Sequence, residues 1–198
     1  MIKNNNYFTS DFHADSYLMY DYLSQLEMYS GNERSGQRFF TKQKGSKQSH
    51  SFKFGWTWRA RRGTGKREYD PEKKMYKSKA MEDQPWLLDM FKEYANNYFP
   101  KFDWTEIQIN NQTEGSRTKE HLDRVNVGDS ILVAFGDYTG GRTYVKNKDD
   151  KNYEIFDARL EPLQFNGAER KHGVTTVTSG NRFSLVFYKS KEKQVEPY

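Results

Sequence analysis

The chain has no cysteine among its 198 residues. Without thiols it can form neither disulfides nor thiolate metal sites, so any transition metal must be held by imidazole and carboxylate groups. The lack of cysteine also favours a reducing compartment, although only weakly.

Long apolar runs are missing as well. No stretch reaches the roughly 18 apolar residues that could span a membrane, and residues 1–10 lack the apolar core of a signal peptide. These absences predict a soluble, intracellular protein with no membrane partner, located in the cytoplasm, the nucleus or an infected host cell. Hydrophobic residues make up only 34% of the chain, but 14 Tyr, 14 Phe and 4 Trp supply large rings for a core. The length favours a single domain over residues 1–198.

Positive charge is concentrated in one segment, residues 33–79, which we call the basic segment. It holds 15 Lys/Arg against 4 Asp/Glu, a local charge of +11, whereas the rest of the chain holds 17 against 23. Aromatic residues are interleaved with these cations: Phe39, Phe40, Phe52, Phe54, Trp56, Trp58 and Tyr69. Such a mixture suits phosphates and bases, and the alternative is a solvated insertion.

Apolar spacing predicts two helices. The first covers residues 15–29, with Asp15 or Ser16 as its N-cap. The second opens at Asp83 and Pro85 and ends before Pro100. The apolar positions of the first are Leu18, Met19, Tyr22, Leu23 and Leu26, and those of the second are Leu87, Leu88, Phe91, Tyr94, Ala95 and Tyr98.

From residue 104 onward the sequence changes to short β-rich runs separated by turn signals, among them Gly140-Gly141 and residues 178–181. The predicted strands are Trp104–Asn110, Ser130–Phe135, Arg142–Val145, Tyr153–Phe156, Gly173–Thr178 and Arg182–Lys189. An earlier run, residues 51–59, could form a further strand with its aromatic rings on one face. Helices followed by many short strands predict an α+β domain, with a helical flank over 1–103 and a barrel or jelly-roll core over 104–190.

Two histidines and a carboxylate in the core have the composition of an open-faced ferrous site. Side chains two apart on a strand share a face at a separation of roughly 6–7 Å, so His121 and Asp123 can bind one metal. His172, from a distant strand, would complete a triad of two histidines and one carboxylate. The tripeptide alone is a weak signal, but Arg182 and Ser184 follow His172 on a predicted strand. A surface histidine at 121 and a turn histidine at 172 are the alternative interpretation.

With these residues the chain resembles the iron(II)- and 2-oxoglutarate-dependent oxygenases, whose double-stranded β-helix core is a jelly roll of the cupin type. The resemblance covers the predicted core. It implies that Fe(II) is bound by His121, Asp123 and His172. It implies further that Arg182 pairs with the distal carboxylate of 2-oxoglutarate and that Ser184 adds a hydroxyl. The implied reaction uses O₂, converts 2-oxoglutarate to succinate and hydroxylates a C–H bond.

The element from His121 to Asn126 resembles the His-x-Asp-x-x-Asn of the TET/JBP group, which oxidises the 5-methyl group of pyrimidines in DNA. This resemblance implies 5-methylcytosine in DNA as the substrate and Asn126 as a contact to the base, although a turn amide is the ordinary alternative. The spacing of ten residues from His172 to Arg182 instead resembles prolyl-hydroxylase-like enzymes. A peptidyl or prolyl-type protein hydroxylase therefore stays open. A non-catalytic binding protein is the third possibility, and the intact ligand set argues against it.

The basic segment precedes the core, where such enzymes build substrate-recognition lids. We therefore expect it to bind DNA, with a flipped base stacked on an aromatic ring. The predicted substrate contacts are Trp56, Trp58, Arg61 and Arg62, with Tyr69 as a further ring. Asn110, on a core strand, is predicted to face the cosubstrate, the alternative being a polar residue that faces solvent.

Overall fold

A computed structural model describes residues 3–4, 10–26, 40–41, 50–57, 76–77, 81, 83–147, 152–159 and 161–190. Within these ranges the elements are β1 (Lys3–Asn4), α1 (Ser10–Gln25), β2 (Phe40–Thr41), β3 (His50–Thr57), β4 (Tyr76–Lys77), α2 (Trp86–Tyr98), β5 (Glu106–Thr113), β6 (Arg117–His121), β7 (Asn126–Phe135), β8 (Tyr138–Gly140), β9 (Thr143–Lys146), β10 (Tyr153–Phe156), β11 (Leu163–Phe165), β12 (His172–Val174) and β13 (Val177–Ser190). Most of the basic segment, including Trp58, Arg61, Arg62 and Tyr69, lies outside the described residues. Of Trp56 only the backbone is described.

The described strands form two antiparallel sheets. The larger has the order β1-β11-β7-β13-β5-β3-β4, with β8 paired to β13 beside this path, and the smaller has the order β10-β9-β12-β6-β2. The long strand β13 pairs with β5 on one side and β7 on the other. This is the two-sheet architecture that the sequence predicted.

One face of the larger sheet packs on the helices. Ile107 and Ile109 of β5 and Leu185 and Phe187 of β13 point to this face and are fully buried. The cluster also contains Phe91 of α2. Burying one such side chain contributes about 1.5–3 kcal/mol, so this layer holds the sheet in place and leaves its other face for the site.

The first helix differs from its prediction. It begins at Ser10, so Asp15 and Ser16 lie inside it and neither is the N-cap. Leu18 and Tyr22 are 53% and 43% exposed, because the buried stripe instead runs through Met19 and Leu23. The apolar spacing fitted two neighbouring stripes, and packing selected only one of them.

The second helix agrees with its prediction. Pro85 is the N-cap, the helix ends at Tyr98 two residues before Pro100, and five of the six predicted inward residues are buried, Leu88 being half-buried. Neither described helix is long and apolar enough to cross a membrane.

The six predicted strands are present, and the run at 51–59 is β3. Tyr153–Phe156 has the bounds of β10, the other five have shifted ends, and Gly173–Thr178 is divided between β12 and β13. The sequence missed β6, β8 and β11 in the core, which are short or mostly polar. The predicted turn at residues 178–181 is wrong, since these residues lie within β13, where Ser179 and Gly180 pair with β8 after a register shift.

The inner faces of the two sheets meet at the site. Part of this interior is apolar, with Leu132 and Phe165 of the larger sheet against Val145 of the smaller one. On β5 and β13 the inward residues are polar instead, and register places Gln112 beside Arg182 and Asn110 beside Ser184. Buried polar and charged side chains in rows are unusual in a core, and they indicate a binding site.

Candidate active site

His121 and His172 lie side by side across two strands of the smaller sheet. They are direct partners in the β6–β12 register, and their ring centroids are 4.3 Å apart. The ring of Phe165 packs edge-on against His172 at 4.9 Å. Strand pairing therefore brings together two residues that are far apart in the sequence.

A register shift aims His121 inward. His172 pairs with His121 and Val174 pairs with Thr118, so an interval of two positions on β12 matches an interval of three positions on β6. On a regular strand an interval of three would point Thr118 and His121 to opposite faces. The extra residue allows both to face the interior, where Thr118 accepts a hydrogen bond from the amide of Gln112 at 3.1 Å. Bulges of this kind commonly re-aim side chains at active sites.

Each histidine is oriented by the backbone carbonyl of the residue two positions before it. Nδ1 of His121 lies 2.8 Å from the carbonyl oxygen of Lys119, and Nδ1 of His172 lies 2.9 Å from that of Arg170. With Nδ1–H donating to a carbonyl, the lone pair of each ring is at Nε2. Such contacts fix the tautomer of metal-binding histidines.

Asp123 completes the cluster from a loop. The prediction that His121 and Asp123 share one strand is wrong, because β6 ends at His121. The loop is held by a hydrogen bond from Asp123 N to Gly167 O of 2.9 Å. The carboxylate lies between the two rings, with Oδ1 3.5 Å from His121 Nε2 and Oδ2 3.4 Å from His172 Nε2. One ligand atom from each residue lies within 4.8 Å of the others.

The carboxylate is also electrostatically suited to a cation. Burial alone would raise the pKa of Asp123, but when the imidazoles of His121 and His172 are protonated, their hydrogen bonds and charges outweigh burial and hold this pKa below its usual range. A bound divalent transition metal would take the place of the Nε2 protons, so that a deprotonated carboxylate and two neutral Nε2 atoms would be its donors. These three residues therefore fit a ferrous ion.

Gly167 leaves room for this cluster. A methyl group at this position would lie 3.0 Å from Asp123 Oδ2 and 3.1 Å from His172 Cε1. Nothing in the local sequence distinguishes this glycine, so sequence reasoning missed it.

We predict that Gly167→Ala lowers the affinity for Mn(II) about 10-fold, the size of a perturbation just outside the ligands. The metal-free protein should melt at an unchanged or slightly higher temperature, because alanine restricts the unfolded chain. Calorimetric titration and thermal melting measure the two effects, with Ala168→Ser as the control at the next position. If Gly167→Ala and the parent protein bind Mn(II) with equal affinity, metal binding does not depend on the absence of a side chain at position 167.

Asn126 lies behind the carboxylate. It is 4% exposed, and its amide nitrogen donates to Ser130 Oγ at 3.1 Å and lies 3.5 Å from Asp123 Oδ2. The structure thus brings Asn126 to the predicted ligands, with its amide directed at Asp123. Contact with a base, as the sequence predicts for it, stays a prediction.

The two roles of Asn126 separate experimentally. If the amide orients Asp123, Asn126→Ala should lower Mn(II) affinity about 10-fold even without any nucleic acid. If Asn126 only contacts substrate, metal affinity will not change and only substrate binding will weaken. Calorimetric titration of Mn(II) into the free protein decides between them.

Arg182 lies deep in the interior, and no described residue is an anionic partner for it. It is 1% exposed, and it donates to Gln112 Oε1 at 2.7 Å and to Thr143 Oγ1 at 3.4 Å. Its Nε has no hydrogen-bond partner, and no carboxylate of the described residues lies within ion-pair distance of it. Burial lowers the pKa of Arg182, against the opposing influence of Tyr138 and Asp157. A buried guanidinium of this kind is costly unless a ligand supplies the anion.

The other predicted cosubstrate residues line the same face. Ser184 is 1% exposed, and its hydroxyl accepts a hydrogen bond of 3.1 Å from the amide of Asn110. Ser51 in turn donates to the Asn110 carbonyl at 3.0 Å. The structure therefore brings Asn110 and Ser184 together one row away from Arg182. Asn110 is half-buried, and its contact with the cosubstrate stays a prediction.

Tyr138 is a site residue that the sequence did not reveal. Its ring centroid lies 6.0 Å from the guanidinium carbon of Arg182, and its buried phenol oxygen has no hydrogen-bond partner among the described residues. The adjoining Gly141, at φ +59°, leaves the space, since a Cβ there would lie 2.9 Å from Arg182 Cδ and 3.3 Å from the Tyr138 ring. Only the Gly-Gly turn signalled this close approach.

The chain was compared with known proteins. No family model matches it. It is 30% identical over 112 residues to the Tet-like dioxygenase 1 of Naegleria gruberi, a match of 57% of this chain and 34% of that protein. The chain thus matches about a third of the length of this curated relative.

Two solved structures share the fold. NgTET1 in complex with 5mC DNA matches with a TM-score of 0.53 and 15% identity, over 94% of this chain and 71% of that one. OsALKBH1 matches with a TM-score of 0.53 and 13% identity, over 95% of this chain and 97% of that one. The predicted fold and the predicted resemblance are therefore confirmed: the chain has the double-stranded β-helix fold of the 2-oxoglutarate oxygenases and is TET/JBP-like in sequence.

Proposed function

We propose that the chain is an Fe(II)- and 2-oxoglutarate-dependent dioxygenase that hydroxylates the 5-methyl group of 5-methylcytosine in DNA. One observation carries the proposal. Inside one jelly roll, ligand atoms of His121, Asp123 and His172 lie within 4.8 Å of one another, and Arg182 is buried in the same interior with no carboxylate of the described residues within ion-pair distance. A metal site and an anion site in one interior are what an iron enzyme with an acidic cosubstrate needs.

The three ligands would hold the metal on one side and leave the rest of its coordination open. Bound there with 2-oxoglutarate, ferrous iron supplies the activation of dioxygen that C–H hydroxylation requires. The carbonyls of Lys119 and Arg170 hold both imidazoles in the tautomer that presents Nε2. The protein thus orients the donors before the metal arrives.

Arg182 and Tyr138 would anchor the cosubstrate. The guanidinium of Arg182 would pair with the distal carboxylate, and the phenol of Tyr138 would donate to the same group. Gln112 and Thr143 already accept hydrogen bonds from Arg182 and so fix its orientation. Phe165 and Val145 are buried between the two ends and exclude water from the interior.

The DNA substrate rests on three supports. A curated relative, 30% identical over 112 residues, is named a Tet-like dioxygenase, and one structure with the same fold is a complex with 5mC DNA. The basic segment adds a local charge of +11 and interleaved aromatic rings, which suit a phosphate backbone and a flipped base. Trp56, Trp58, Arg61 and Arg62 are the proposed contacts.

The test is succinate release by protein loaded with Fe(II) and 2-oxoglutarate, measured with 5-methylcytosine DNA, unmodified DNA or no substrate. We expect that only methylated DNA increases the rate of succinate release and that mass spectrometry shows one added oxygen atom on the methylated base. DNA binding should weaken steeply as the salt concentration rises. If DNA does not change the rate of succinate release but a proline-containing peptide increases it, the substrate is a protein and not DNA. The ten-residue spacing from His172 to Arg182 favours that alternative.

A further inference from the structure

Arg159 approaches the same tyrosine as Arg182, although it lies outside the motifs that the sequence revealed. It follows β10, and its backbone forms a parallel bridge with Ala134 of β7, supported by a hydrogen bond of 2.8 Å from Ala134 N to Ala158 O. The guanidinium carbon of Arg159 lies 4.1 Å from the ring centroid of Tyr138, and Nη2 donates to the Tyr138 carbonyl at 2.5 Å. Arg159 therefore holds both the ring and the backbone of Tyr138.

Two guanidinium groups thus approach one buried tyrosine. Arg159 lies closest to the ring, and Arg182 lies 6.0 Å from its centroid. Within the part of the chain that the structure describes, three buried polar atoms of this group have no hydrogen-bond partner: Tyr138 Oη, Arg159 Nε and Arg182 Nε. Among the described residues, neither arginine has a carboxylate within ion-pair distance.

This arrangement is unfavourable in the free protein. Unpaired buried donors lose the hydrogen bonds that they would make with water. An anion beside Tyr138 would supply the missing acceptor. One guanidinium is enough to pair with one carboxylate, so Arg159 needs a separate explanation.

We infer that Arg159 is a positioning residue of the cosubstrate pocket. It clamps Tyr138 so that the phenol is directed at the distal carboxylate beside Arg182, and its charge favours cosubstrates that carry this second carboxylate. The inference rests on the proposed function and extends it to a residue that selects 2-oxoglutarate over monocarboxylic 2-oxo acids. A purely structural Arg159 would instead stabilise the bridge to β7 without affecting ligand choice.

The experiment is calorimetric titration of 2-oxoglutarate, and of 2-oxopentanoate as its analogue without the distal carboxylate, into protein loaded with Mn(II). The variants are Arg159→Gln, Arg159→Lys, Tyr138→Phe and the double variant Arg159→Gln/Tyr138→Phe, with the exposed Arg117→Gln as the matched control. Mn(II) affinity and melting temperature are measured for each variant, so that loss of fold is recognised.

We expect Arg159→Gln and Tyr138→Phe each to weaken 2-oxoglutarate binding about 10-fold, the size of one hydrogen bond to a charged group. Binding of 2-oxopentanoate and of Mn(II) should not change. The double variant should be hardly weaker than either single variant, because coupled residues are not additive. Arg159→Lys keeps the positive charge but lacks the planar guanidinium group, so it should restore only part of the lost 2-oxoglutarate affinity.

Three results would overturn the inference: unchanged 2-oxoglutarate affinity in Arg159→Gln, fully additive effects in the double variant, or equal weakening of both 2-oxo acids. In each of these the parent protein still binds 2-oxoglutarate, so the proposed function stands. If the parent protein itself binds no 2-oxoglutarate, the proposed function and the inference both fail.

Discussion

Replacing Asp123 with alanine is expected to abolish turnover of 2-oxoglutarate. The carboxylate is the only acidic group among the described residues that lies with His121 and His172 in one ligand cluster, so its loss leaves two neutral imidazoles to hold the metal. Changes just outside a metal shell cost about 10- to 100-fold, so loss of a ligand should exceed about 100-fold. Succinate release in the presence of Fe(II) and saturating 2-oxoglutarate measures the loss.

The matched control is Asp103→Ala. The side chain of Asp103 is 73% exposed and lies 3.7 Å from Lys189, a surface pair whose removal costs at most about 1 kcal/mol. Asp103→Ala should keep the full rate. If Asp123→Ala also keeps the full rate of succinate release, both the proposed ligand set and the proposed enzymatic function are wrong.

The second large effect is expected at Arg182. Arg182→Lys keeps a positive charge but cannot bind a carboxylate through two parallel hydrogen bonds, and it leaves Gln112 Oε1 or Thr143 Oγ1 without its donor. Losing one or two hydrogen bonds to a charged group predicts a rise of about 10- to 100-fold in the KM for 2-oxoglutarate. The kcat at saturating cosubstrate should change much less, because the metal ligands are untouched.

Steady-state kinetics over a wide range of 2-oxoglutarate separates these parameters. Arg142→Lys is the control, since Arg142 is exposed after the Gly-Gly turn and should keep both parameters. Because Arg182 is buried, the melting temperature of Arg182→Lys must be measured as well. A fall in kcat with an unchanged KM would place Arg182 outside the cosubstrate pocket.

The sequence predicted those site residues that belong to a short motif or to a recognisable strand. His121, Asp123, His172, Arg182 and Ser184 all lie in the interior between the sheets. The reason given for the first pair was partly wrong. His121 and Asp123 do not share a strand, and a register shift in β6 together with a loop held by Gly167 brings them together.

Long-range packing hid the rest of the site. Gln112 contacts Arg182 across 70 positions of sequence, Thr143 across 39, and Arg159 contacts Tyr138 across 21. Such contacts depend on strand order, which periodicity does not reveal. The first helix was misjudged for a similar reason, because the sheet buries Met19 and Leu23 and leaves Leu18 and Tyr22 exposed.

The most direct test of the central claim is a crystal structure of the protein with Mn(II) and 2-oxoglutarate. It should show one ion bonded to His121 Nε2, Asp123 and His172 Nε2, with the 2-oxo end of the cosubstrate on the ion and its distal carboxylate paired with Arg182 beside Tyr138. An ion bound elsewhere, or a cosubstrate whose distal carboxylate lies away from Arg182, would contradict the account.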